Sequence, residues 1–303
     1  MSNTIQRETP NEVGGTIRAL IDELTAALPS TTVADPRRVA ADVIAALLEV
    51  PRSWPFMNVD GTVDRALIEA ARGAARKLSA GAPFAYAVGR ADFRHLNLAV
   101  DDRVLIPRPE TEMLVGEILE RMHRRCAAGR GWGTALDIGT GSGAIALSLA
   151  SEGRFERVIA TDVSLDALHV AGSNAVHCAA VLRTNVEFRH GSLLSPVGDV
   201  QATVLASNPP YIAFAESERL PASVRDWEPP LALLSGHDGM TATRAIVRDG
   251  ARVLVSGGLL ALEVDETRAS LVAEIVMLHG AYTGVGVRLD LAGRERFVFA
   301  TRI

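Results

Sequence analysis

The chain has 303 residues, of which 48% are hydrophobic, 22% charged and 5% aromatic, with Gly 26, Pro 14 and Cys 2. Those proportions describe a globular protein, too apolar and too mixed in charge to be disordered and long enough for two domains. A formal charge of −5 gives no global basic field for phosphate backbones or anionic lipid, and Cys126 and Cys178 cannot make a disulfide framework or a four-cysteine metal knuckle.

The stretch Met1 to Asn11 is polar and lacks the basic-then-apolar order of an export signal, and no window holds 18 uncharged apolar residues, so a cytoplasmic protein is expected. From Thr16 to about Leu78 the reading is helical. Ile17, Leu20, Ile21, Leu24 and Leu28 share one helix face. Asp35-Pro36 announces a second helix with Val39, Val43 and Leu47 inward, and a third runs from about Thr62 with Val63, Leu67, Ala70, Ala74 and Leu78 on one stripe. This small bundle, residues 1–85, is nearly balanced in charge and reads as a docking module. Gly81-Ala82-Pro83 breaks the period, and residues 86–109 read as a β-containing linker with turns at Gly89 and Asp101-Asp102. The prolines of Leu105-Ile106-Pro107-Arg108-Pro109 impose an extended path, after which Met113, Val115 and Ile118-Leu119 open another helix.

Beyond Gly133 the rhythm is strand, loop, helix, repeated. Strands are expected at Ala135 to Gly139, Val158 to Thr161, Val186 to Phe188, Thr203 to Ser207 and Leu259 to Val264, with helices at Ala144 to Ser151, Leu165 to Ala180 and Thr241 to Val255. That alternation over 110–303 predicts an α/β domain with a parallel sheet covered on both faces.

The first strand runs into Asp137-Ile138-Gly139-Thr140-Gly141-Ser142-Gly143. Glycines there let backbone pass close to a ligand, although a glycine turn between strand and helix also occurs for purely structural reasons. The spacing is not that of a dinucleotide fingerprint, and no Lys-Ser or Lys-Thr follows to cradle a triphosphate. Asp162 ends the second strand, where a carboxylate can accept both hydroxyls of a ribose; a nucleoside without phosphates remains. Ser207-Asn208-Pro209-Pro210-Tyr211 ends the fourth strand. Alone it reads as a stiff turn, but at the carboxyl edge of a doubly wound sheet it presents acceptors to a planar NH2 group: the Asn208 oxygen and the carbonyl at Pro209, with Tyr211 against the face.

This loop, Asp162 and Asn208 to Tyr211 together resemble the S-adenosylmethionine-dependent methyltransferases that modify planar nitrogen. Leu105 to Glu112, with Arg108-Pro109-Glu110-Thr111-Glu112, and Trp227-Glu228-Pro229-Pro230-Leu231-Ala232-Leu233 with Asp238-Gly239-Met240, are similar to the peptide-chain release factor glutamine N5-methyltransferases of the HemK/PrmC type. The resemblance extends from about Pro36 to Phe299. It implies a doubly wound, Rossmann-like class I methyltransferase domain behind a small N-terminal helical bundle. It further implies that Gly139, Thr140, Gly141 and Gly143 line the methionine and ribose of S-adenosylmethionine, that Asp162 binds the ribose hydroxyls and that Ser192 lies at the adenine. Asn208, Pro209, Pro210 and Tyr211 would hold and orient the glutamine amide of the Gly-Gly-Gln motif of class I release factors, without a metal. Arg108 and Glu110 would form the pocket wall, or Arg108 would pair with an acidic neighbour.

The chain departs from the family pattern at Gly191-Ser192-Leu193, where an acidic residue is usual, at Asp265, where Gly is expected, and at Arg268, where Gln is common. A diverged relative acting on a free amino acid or another small molecule therefore stays open, as does a nucleic-acid amino methyltransferase, although the bundle carries no basic target-reading module. The basic run Arg121, His123, Arg124, Arg125 and Arg130 reads as a solvated helix end, with ribosomal RNA or an acidic partner face as the alternative.

Overall fold

The computed structural model describes residues 13–29, 34–126 and 130–303, and the chain divides into two compact units, Met1–Gly89 and Arg90–Ile303. The polar stretch Met1 to Asn11 lies outside the described residues. No helix among the described residues is long and apolar enough to cross a membrane.

In the first unit, β1 (Val13–Thr16) leads into α1 (Ile17–Ala27), followed by α2 (Pro36–Leu48), α3 (Trp54–Met57), β2 (Thr62–Asp64), α4 (Arg65–Ser79) and α5 (Phe84–Val88). Thr16, Asp35 and Asp64 cap their helices by accepting a hydrogen bond from a backbone N–H three residues on. Each such cap contributes about 1 kcal/mol. The apolar faces of α1, α2 and α4 then enclose one core, with Ile17, Leu20, Ile21, Leu24 and Leu28 buried as their spacing predicts. Two expectations shift. Ala70 is exposed and α4 instead buries Ala71, Ala74 and Ala75, because alanine on every side leaves the period ambiguous and Leu67, Ile68 and Leu78 set the inward direction. Thr62–Asp64 is a strand paired antiparallel with β1, so α4 starts three residues later than expected.

The second unit opens with an antiparallel hairpin, β3 (Arg90–Phe93) and β4 (Leu96–Ala99), and continues with α6 (Pro109–Arg125). Tyr86 to Val88, expected as the start of the β-containing linker, instead belong to helix α5, which ends on Gly89 in the left-handed region (φ 77°). The hairpin is more than a connection: Phe93, Leu96 and Leu98 join the apolar cluster of the second unit.

Alternation follows from there: β5 (Thr134–Ile138), α7 (Ala144–Glu152), β6 (Arg157–Asp162), α8 (Leu165–His177), β7 (Val186–His190), β8 (Ala202–Ser207), the short α9 (Ala222–Arg225) and α10 (Pro230–Leu233), α11 (Thr241–Val253), β9 (Leu254–Glu263), α12 (Ala269–Leu278), β10 (Tyr282–Leu289) and β11 (Glu295–Arg302). Among the described residues the sheet has the order β10-β11-β9-β8-β5-β6-β7, parallel except for β11, which runs antiparallel to both its neighbours. Side chains alternate between faces along each strand. Ala135, Val158, Ala160, Val204 and Ala206 pack toward α6 and α7, whereas Leu136, Ile138, Ile159, Leu205 and Leu260 pack toward α11 and α12. The sheet is thus covered on both faces, as a doubly wound α/β domain requires. The chain leaves β5 for β6 and β7 on one side and returns to its other side with β8, so the carboxyl ends of β5, β6 and β8 open a crevice.

Candidate active site

A cavity of about 380 Å³ occupies that crevice, in the size range of small-molecule sites. Gly139 (φ 74°) and Gly141 (φ 55°) are left-handed, and a side chain built on either would meet only open space. Conformation, not crowding, demands glycine at these two positions, and the empty volume above them is the ligand space. Gly143 is also left-handed but does not line the cavity: a Cβ there would press Leu147 and Ala171, so it serves the start of α7.

The turn is held from beneath and beside. Asp137 is fully buried and its Oδ2 accepts from the Thr140 hydroxyl (2.6 Å) and the Ala146 N–H (3.1 Å). Burial pushes its carboxyl up to about 7. Its Oδ1 is a buried atom without a partner among the described residues. Asp162, at the tip of β6, accepts the Gly141 N–H on Oδ2 and the Ser164 N–H on Oδ1, both at 2.9 Å. Each oxygen keeps a lone pair, so a clamped carboxylate faces the cavity with capacity for two hydroxyl donors. Ser192 lines the same wall, followed by Leu193 at φ 48°, whose carbonyl receives the Thr161 hydroxyl at 3.0 Å. The open glycine turn and the pre-bonded Asp162 fit the ribose and methionine parts of S-adenosylmethionine.

Across the cavity lies Asn208, where Ser207 binds the Ile138 carbonyl (2.6 Å) and fixes the end of β8 against β5. Asn208 Nδ2 donates to Thr111 Oγ1 (3.2 Å), and Thr111 in turn donates to Glu263 Oε2 (2.7 Å). Glu263 is buried, and that burial pushes its carboxyl up to about 7. Neither Thr111 nor Glu263 was anticipated as part of the site; Thr111 lies within the motif Arg108 to Glu112, but its bond spans residues far apart in sequence.

Other expected residues divide. Arg108 and Pro210 line the cavity, while Pro209 is buried and Tyr211 is largely covered, neither reaching the cavity wall. The Tyr211 hydroxyl is pushed up to about 12, chiefly by burial and then by the Glu263 charge. Arg108 does both things the sequence left open: it lines the cavity and binds the buried Glu228 at 2.5 Å. Glu110 is turned away from the cavity and accepts from Arg294 (3.0 Å). The departures Asp265 and Arg268 meet each other at 3.2 Å, and Arg268 also holds both oxygens of Glu216 and the Asp238 carbonyl. The basic run is largely engaged within its own unit: Arg121 with Glu117 and the Phe299 ring, Arg124 with Glu120, and Arg125 with Thr301 and the Gly257 carbonyl.

Residues 117–221 match the family model described as "Methyltransferase small domain". A methyltransferase from Pyrococcus furiosus has a similar fold, with a TM-score of 0.50 at 18% identity over 68% of this chain and 88% of that one. The release factor glutamine methyltransferase of Moorella thermoacetica is 42% identical over 74% of this chain and 76% of its own length. That of Rhodopirellula baltica is 34% identical over 96% of this chain and 98% of its own. With one such relative aligned over nearly the whole of both chains and another over about three quarters of each, the protein belongs to the release factor glutamine methyltransferase family.

Proposed function

We propose that the protein methylates the side-chain amide nitrogen of the glutamine in the Gly-Gly-Gln motif of class I peptide-chain release factors, with S-adenosylmethionine as donor. The observation that carries this reading is the meeting in one cavity of the glycine turn clamped by Asp162 and of Asn208 at the end of β8. The relatives' shared name supports a release-factor glutamine over other amides.

When bound, S-adenosylmethionine supplies an electrophilic methyl group on a sulfonium. Gly139, Thr140 and Gly141 would hold its methionine and ribose, Asp162 would accept hydrogen bonds from the ribose hydroxyls, and Ser192 would border the adenine. An amide nitrogen is a weak nucleophile because its lone pair is delocalised into the carbonyl, so the protein's task is to orient it; orientation contributes several kcal/mol, up to ~7–11 in the best cases. Asn208 Oδ1 accepts one amide N–H of the glutamine, and Pro209 and Pro210 offer no competing donor. An acceptor on the amide N–H also stabilises positive charge developing on nitrogen. Pro107, Pro210 and Leu231 make an apolar wall that limits water, and the displaced proton leaves to solvent. Tyr211, protonated at any working pH, braces the loop and is not a base.

Asn208→Ala is expected to keep cofactor binding in calorimetry and to lose methyl transfer to a release factor by ~10²–10³-fold, the cost of removing one positioned polar group. Native turnover in that variant would overturn the amide-holding role.

A further inference from the structure

We propose that Thr111 and Glu263 are positioning residues that set which end of the Asn208 side-chain amide faces the cavity, an inference that rests on the reading of Asn208 given above. A hydroxyl has a single proton. Thr111 commits its proton to Glu263 Oε2 at 2.7 Å, so toward Asn208 it can only accept, and it receives Nδ2 at 3.2 Å. The NH2 half of Asn208 is therefore tied to Thr111 and Oδ1 is left for the substrate. With the amide turned over, Asn208 would offer NH2 to the NH2 of glutamine, donor against donor. The three residues come from the first turn of α6, the loop after β8 and the end of β9, and Thr111 and Asn208 line the cavity while Glu263 stands behind them.

The ordering holds while Glu263 is a carboxylate. Thr111, Arg108 and Glu110 face it from α6 and its approach, Arg296 from β11 and Tyr211 from the loop after β8. Burial, with Glu110, pushes its carboxyl up to about 7 against the pull of Thr111, Arg296 and Arg108. Once protonated, Glu263 can donate to Thr111, whose own proton is then free for Asn208 Oδ1, and the amide can reverse. The polarity is intact above that value and lost below it.

The test follows kcat and KM for a release factor on both sides of pH 7, with thermal unfolding and cofactor affinity recorded for each variant. Thr111→Val, nearly isosteric without the hydroxyl, is expected to lower kcat by ~10–100-fold, the cost of a misplaced reacting group. KM and cofactor affinity should stay near native, because most of the protein substrate and the cofactor are held elsewhere. Thr111→Ser should restore most of kcat. Glu263→Gln, which cannot ionise, should lose the fall in kcat on the acid side. Native kcat in Thr111→Val, no rescue by Ser, or the native acid limb in Glu263→Gln overturns the positioning role. Should Thr111→Val not fold, the Ser and Gln variants decide. Turnover surviving in Asn208→Ala is a separate outcome that overturns the amide-holding role itself, whereas its loss alongside normal Thr111→Val refutes only the positioning.

Discussion

Asp137 stands one residue before the end of β5 and Asp162 ends the neighbouring β6, yet their surroundings give them different work. Asp162 is bonded by two backbone N–H groups and open to the cavity, so its removal costs both the turn's clamp and a ligand contact. Asp162→Ala should weaken S-adenosylmethionine binding by ~10–100-fold, as expected for hydrogen bonds to a charged group, read by calorimetry. Asp137 is sealed beneath the turn and holds its proton up to about 7. A carboxyl whose folded value is raised binds a proton that the unfolded chain has already released, so stability falls as pH rises from its ordinary 3.8 to about 7. Each such group contributes a slope of about 1.4 kcal/mol per pH unit at most within that window. Asp137→Asn should flatten the slope, measured by urea unfolding at the two ends of the window; an unchanged slope would place the buried charge elsewhere. The Arg108–Glu228 pair gives a third prediction. Removing Arg108 strands a buried carboxylate that already has one oxygen unbonded, so Arg108→Ala should cost about 3 kcal/mol, and Arg108→Ala with Glu228→Gln should recover part of it. Asp162 and Asn208 were legible in the sequence because one ends and the other directly follows a strand at the carboxyl edge. Glu228 as the partner of Arg108, and Thr111 with Glu263, were not, because nothing in a linear pattern joins residues separated by 120 or 152 positions.

At the scale of elements, the segment after β8 is fixed by side chains more than by its own regular structure. Arg268, leading into α12, grips Glu216, Asp265 and the Asp238 carbonyl, and Glu216 also accepts the Ala213 N–H at 2.9 Å. The unusual Asp265 and Arg268 thus form one tie across the loop that borders the cavity. Arg268→Ala should leave the unfolding temperature close to native, since partly exposed pairs contribute little, but speed tryptic cleavage at Arg219 and Arg225. Unchanged cleavage would show that the tie does not hold the loop. Helices with side-chain caps and strands buried on both faces were readable, because caps and continuous apolar runs are local signals. The antiparallel pair β10 and β11 was not: β10 is an edge strand with Gly284, Gly286, an exposed outer face and an irregular register, so it lacks a clean alternation. The hairpin Arg90 to Ala99 read as linker because its strands are only four residues each, and only tertiary packing reveals Phe93 and Leu98 as core.

Over the whole molecule, a nearly charge-balanced helical unit accompanies an α/β unit whose crevice at the carboxyl ends of β5, β6 and β8 carries the site, and the chain's formal charge of −5 offers nucleic acid no general attraction. Those features, with family membership, favour a protein amide over a nucleobase as the group held at Asn208. The most direct measurement supplies the protein with isotopically labelled S-adenosylmethionine and a mixture of purified class I release factor, ribosomal RNA and free glutamine, then locates the label by tandem mass spectrometry. Label on the side-chain nitrogen of the Gly-Gly-Gln glutamine, absent with Asn208→Ala, is the expected result; label on RNA or on the free amino acid, with the release factor unmodified, would contradict it.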